Sequence, residues 1–153
     1  MVNDDRDLLT VLKEELEFLE KGGYQHFPDA PWRSRFIFED SPTCLNHDRT
    51  QKLRPCSECV LISLVPVDCR GEKIPCRHIA LNAAGFTIDT YYRLGTHEEV
   101  EEAMAAWLHK TIKELELERE RRSKNDVGAH AAGKWCVGHG WRSVGLYPGG
   151  QRS

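Results

Sequence analysis

No stretch of this 153-residue sequence stays apolar for the ~20 residues that a membrane-spanning helix needs, and its start, MVNDDRDLL, lacks the basic-then-apolar order of an export signal. The chain therefore reads as soluble, free of membrane, and cytoplasmic. It also lacks a strong charge of either sign: the net value of -3 gives no reason to expect tight binding to nucleic acid or to an acidic membrane. There is no G-x-S-x-G, no glycine-rich phosphate loop, no H-E-x-x-H and no internal repeat. The paired carboxylates Glu98/Glu99 and Glu101/Glu102 fall in the first turns of a helix, where the macrodipole accounts for them. These absences weigh against an enzyme without settling the question.

What is there suffices for one core. The length matches a single domain, and 40% hydrophobic against 29% charged residues allows a buried interior. From Asp5 to Glu20, Leu8, Leu12, Leu16 and Leu19 recur at helical spacing, widened by Leu9, Val11 and Phe18, with Asp4, Asp5 and Asp7 at the positive end and Gly22–Gly23 as the stop. Arg35 to Phe38 reads as a short strand between proline-bearing loops. Val60 to Val65, almost wholly β-branched or aliphatic, reads as a buried strand ended by Pro66. Arg77–Leu81 and Phe86–Tyr92 read as a hairpin turned at Gly85. Thr96-His97-Glu98-Glu99 is a capping box opening a long helix whose stripe is Val100, Met104, Trp107, Leu108, Ile112 and Leu115. Beyond Leu117 charges dominate, with Glu118–Arg122 as an i,i+4 pair.

The expected fold is α+β: a small, mainly antiparallel sheet of three to four strands packed against an N-terminal and a long C-terminal helix, with a cysteine-rich metal knuckle at the centre. Residues 1–122 form that domain. Residues 123–153, rich in glycine around Trp135, Trp141 and Tyr147, read as a flexible tail.

The chemistry lies in the six cysteines, Cys44, Cys56, Cys59, Cys69, Cys76 and Cys136. In a reducing compartment structural disulfides do not persist, so metal ligation and plain burial are the competing explanations. Cys56-x2-Cys59 after Pro55 lets one turn of backbone bring two sulfurs to one ion. Cys76 and Cys44 complete an all-thiolate set, Cys44, Cys56, Cys59 and Cys76, for Zn2+, with His78 and His47 as alternative fourth ligands. An extended Val60–Val65 would carry the chain about 20 Å from Cys59, so the set requires residues 67–75 to bring it back. An iron–sulfur cluster accepts the same four cysteines. A thiol redox pair needs C-x-x-C at a helix N-terminus, and Glu58 disfavours a reactive thiolate. Buried thiols without metal are the third alternative, and they are the reading for Cys69 and Cys136.

The surface suggests a partner. Residues 32–77 carry eight Arg or Lys against six Asp or Glu, and Trp32 stands beside Arg33. A protein partner is the expectation, with nucleic acid as the less supported one. The function read from the sequence is a zinc-stabilised binding module.

Overall fold

The computed structural model describes residues 4–25, 35–47 and 54–139, with side chains through residue 127. The chain divides into two units, Met1–Leu115 and Glu116–Ser153.

Helix α1 runs Leu8–Glu20. Asp7 caps it by accepting from the Thr10 amide at 3.1 Å, so of the acids read as dipole partners it is Asp7 that serves as the N-cap. The helix closes where Gly22 takes a φ of +75° and the Gly23 amide reaches back to the Phe18 carbonyl at 2.9 Å. The Phe18 and Tyr24 rings then pack edge to face, with centroids 5.0 Å apart. The face of α1 turned inward carries Leu9, Val11, Leu12 and Leu19, and between them Glu15, which is fully buried.

The expected sheet is absent: among the described residues there is no strand, and one antiparallel bridge, Ala80 with Thr87, is all that remains of the hairpin. Each misread segment has its own physical reason. Arg35–Phe38 is a turn in which the Asp40 carboxylate accepts from the Phe36 amide at 2.7 Å and Phe38 adopts a φ of +63°. Such a conformation costs a side-chain-bearing residue about 1–2 kcal/mol. Val60–Leu64 is a 3₁₀ helix, closed by Ile62 N–H to Cys59 C=O at 3.0 Å and Val65 N–H to Ile62 C=O at 3.2 Å. An unbroken apolar run does not reveal its period. Here Leu61, Ile62 and Val65 are buried at helical rather than alternating spacing.

Further 3₁₀ helices span Cys56–Glu58, Val67–Cys69 and Pro75–His78. Phe86–Tyr92 also departs from the strand reading, because Thr87 and Thr90 form a reciprocal capping box that opens helix α2, Ile88–Leu94. The turn ahead of it keeps the expected Gly85 at a φ of +83°.

Helix α3, His97–His139, starts where the sequence places it. The Thr96 hydroxyl accepts from the Glu99 amide at 3.2 Å, and the Glu99 carboxylate accepts from the Thr96 amide at 2.7 Å. Val100, Met104, Leu108 and Ile112 are buried against the α1 residues, the turn residues Ile37 and Phe38, and Ile79 and Ile88. This helical core, built without a sheet, is what holds the cysteine-bearing turns.

The second unit, within its described residues, is the continuation of α3. Glu118 pairs with Arg122 at 3.0 Å and with Arg121. The helical backbone passes residue 122 and continues to His139, where the sequence suggests a flexible tail. Ala129, Ala131 and Ala132 are strong helix formers that offset the glycines. Residues 140–153 lie outside the described part. Among the described residues, no helix is long and apolar enough to cross a membrane.

Candidate metal centre

Pro55 leads into the short helix Cys56–Glu58, and the Cys59 amide closes on the Cys56 carbonyl at 3.1 Å. The pair thus opens a 3₁₀ turn, rather than a strand. The next helix, Val60–Leu64, advances about 2 Å per residue instead of about 3.3 Å, so the chain does not run away from Cys59 as an extended strand would. Residues 67–74 then fold back through a second short helix, and Pro75–His78 packs against Val60–Leu64. Cys44 arrives from a third segment, a turn whose amide bonds run Cys44 to Ser41 at 3.0 Å and His47 to Cys44 at 3.1 Å.

The outcome is that Cys44, Cys56, Cys59 and Cys76 line one cavity of about 40 Å³. Its other walls are mostly apolar, among them Phe38, Leu61, Ile62, Val65 and Pro75, with Asn46 as the polar exception. A space of this size exceeds the ~10–15 Å³ that a water molecule requires. As the side chains stand, no three Cys, His, Asp or Glu residues among the described ones are grouped to hold an ion. Ligation therefore requires the thiols to turn inward from the walls they form.

The alternatives named from sequence fall elsewhere. His47 is exposed, His78 is partly buried, and neither lines the cavity. Cys69 is partly buried and also stands apart from it. The side chains of Trp135, Cys136, His139 and Trp141, and all of Trp32, Arg33, Arg49 and Lys52, lie outside the described residues.

Burial is the first cause that raises the pKa of each cavity thiol above its ordinary value, most of all that of Cys76. Glu39 and the neighbouring thiols push Cys76 further in the same direction. Groups so placed stay protonated unless a cation is beside them, which is the opposite of the activated thiolate that redox exchange requires. Two backbone amides work against burial: Asn46 donates to the Cys44 sulfur and Leu61 to the Cys59 sulfur, in each case two residues after the cysteine. Such bonds stabilise sulfur carrying negative charge.

Charged pairs frame the cavity. Arg77, next to Cys76, forks onto Glu39 at 2.7 and 3.0 Å and lies over the Phe36 and Tyr92 rings at 4.8 and 5.5 Å. On another side Arg6 binds Asp4 through Nη2 at 2.7 Å and the Thr43 carbonyl through Nη1 at 2.6 Å. Asp4 in turn accepts from the Val60 amide at 3.1 Å.

Sequence reading missed both Asp4–Arg6 and Glu15. For the first there was little signal beyond an acid and a base two residues apart. For Glu15 the signal was present: it stands three residues after Leu12 and four after Val11, on the helix face that the leucines mark as inward. Comparison of the chain with protein-family models, with curated proteins and with solved structures finds no match in any of the three.

Proposed function

We propose that the protein is a small interaction module whose cysteine-bearing turns are tied by one structural zinc ion on Cys44, Cys56, Cys59 and Cys76. The observation that carries this reading is the convergence of four thiols from three separate segments on one cavity. The donor set fits: zinc accepts four thiolates in a tetrahedron, with Zn–S bonds of about 2.3 Å. Four protein ligands leave no open position, so such an ion holds loops together and does not activate water. Thiols that burial keeps protonated would give up their protons to the metal, and binding would be coupled to folding of the turns.

A reducing compartment, the cytoplasm, suits a set of free thiols. A protein is the partner proposed, since Phe86, two residues ahead of α2, and Leu94, its last residue, have 47% and 82% of their surfaces exposed. Nucleic acid is served less well, because Arg77 and Arg54 have Glu39 and Glu58 as partners at 2.7 and 3.9 Å.

Elemental analysis of protein purified without oxygen tests the reading. One zinc per chain, lost to a chelator together with a fall in melting temperature, is the expected result. Visible colour with iron and sulfide would replace zinc by an iron–sulfur cluster on the same residues. No metal and no response to chelator would leave four buried thiols.

A further inference from the structure

The N-terminal segment ahead of α1 does more than cap a helix. Arg6 Nε and Nη2 fork onto Asp4 Oδ1 and Oδ2 at 2.9 and 2.7 Å, while Arg6 Nη1 donates to the Thr43 carbonyl at 2.6 Å. The same Asp4 carboxylate accepts from the Val60 amide at 3.1 Å. Thr43 is the residue before Cys44, and Val60 the residue after Cys59. One ion pair is therefore bonded to the backbone on both sides of the cavity, next to two thiol-bearing residues 15 apart in the sequence. We propose that Asp4 and Arg6 form a clamp that positions Cys44 and Cys59 for the four-thiolate zinc centre, with Arg6 as its outer cation.

The inference rests on the zinc reading above and adds to it residues that touch no metal. Four thiolates around a divalent ion form a dianion, which a nearby fixed positive charge stabilises. Arg6 is bonded to the residue before Cys44 through the Thr43 carbonyl and is linked through Asp4 to the residue after Cys59, so its guanidinium is tethered beside both thiol-bearing turns. Arg77, next to Cys76, is likewise forked onto a carboxylate, that of Glu39. Outer groups that orient ligands in this way typically alter metal affinity by about 10- to 100-fold.

The test is competition for Zn(II) against a chromophoric chelator, with Co(II) spectra reporting the ligand set. Arg6→Gln is expected to bind Zn(II) about 10- to 100-fold more weakly while keeping the thiolate-to-cobalt charge-transfer bands. Arg6→Lys, which retains the charge, is expected to recover most of the loss, a rescue that a purely steric role would not give. Coupling is reciprocal, so zinc added to the wild-type chain should slow exchange of the Val60 amide proton by at least about tenfold. That measurement stands even if Arg6→Gln fails to fold. Wild-type affinity in Arg6→Gln, or a Val60 amide indifferent to zinc, overturns the clamp alone. A wild-type chain that binds no zinc overturns the four-thiolate reading and the clamp with it.

Discussion

Ser41 Oγ donates to Glu15 Oε2 at 2.6 Å, tying the turn ahead of Cys44 to the buried face of α1. The same oxygen accepts from Thr43 Oγ1 at 2.6 Å, and Tyr24 donates its hydroxyl to Glu15 Oε1. Ser41 and Thr43 are themselves within 3.0 Å of each other. A carboxylate taken out of water is costly unless its lone pairs are met, and here three hydroxyls meet them. Tyr24 is held in the neutral, donating form, first by burial and then by the Glu15 charge. Its oxygen also accepts from the Phe38 amide at 2.9 Å, which helps hold that residue in its left-handed conformation.

Glu15→Leu should therefore destabilise the fold, although it completes the apolar stripe of α1. Leucine fills the volume but leaves the Tyr24, Ser41 and Thr43 hydroxyls without their acceptor, at about 1–3 kcal/mol for each group left unsatisfied. Part of that cost is relieved because Ser41 and Thr43 can bond each other. The expected net loss is about 3 kcal/mol, read as a lower urea midpoint with an unchanged m-value. Stability equal to or above wild type would mean that the network contributes nothing beyond its packing.

Asp4 makes acid stability a test of the clamp. Hydrogen bonding from Arg6, followed by the Val60 and Arg6 amides and the Arg6 charge, holds its carboxyl at about 2, well below the ordinary 3.8, against the opposing effect of burial. A depressed folded-state value means that the stabilisation is present above about pH 4 and is lost as pH falls towards about 2. Asp4→Asn removes this dependence. The stability gap between wild type and Asp4→Asn should be widest above about pH 4 and narrow steadily between pH 4 and 2, as followed by denaturant titration. A gap that stays constant across this window would show that the charge on Asp4 is not what the clamp uses.

The helices were legible because their signals are local and redundant. The leucines of α1 mark one face, and Thr96 and Glu99 satisfy each other's amides without help from the rest of the chain. The sheet was misread because its signals were not exclusive. Val60–Val65 has strand composition, yet a strand must find a partner, whereas the 3₁₀ turns close within three residues. Phe86–Tyr92 alternates, but the hydroxyls of Thr87 and Thr90 lie three residues apart and cap a helix. The cysteine set could be named from spacing, and those four thiols are the ones lining the cavity. That residues 67–75 had to bring the chain back was legible as well, but the compact 3₁₀ rise of Val60–Leu64, which shortens the way back to Cys59, was not. Asp4–Arg6 was hidden because its partners are backbone groups 37 and 56 residues away in sequence.

Gly23 is required by contact rather than by its backbone angles. A Cβ built there would come within 2.5 Å of the Phe18 ring. Since Phe18 also supports Tyr24 edge-on at 5.0 Å, the ring cannot withdraw freely. Gly23→Ala should cost about 1–3 kcal/mol through overpacking. In a Phe18→Leu background the added cost should largely vanish, so that thermal melts of the four proteins give a clear coupling energy. Additive losses would place the cost of Gly23→Ala in the backbone instead.

Cysteine substitution distinguishes the cavity thiols from their neighbours without assuming which metal binds. Cys44, Cys56, Cys59 and Cys76 line the cavity while Cys69 stands outside it, although all five are partly buried and a burial argument alone would treat them alike. Serine keeps the size of the side chain and removes the soft donor. Cys44→Ser, Cys56→Ser, Cys59→Ser and Cys76→Ser should each lower the metal content of the purified protein, with affinity falling well beyond tenfold, whereas Cys69→Ser should retain a full complement. If metal binds and Cys69→Ser loses it, the ligand set is wrong. If all five variants melt alike and none changes metal content, the thiols act as small apolar side chains, and Cys76→Ser should then cost only the about 1–3 kcal/mol of an unsatisfied buried hydroxyl.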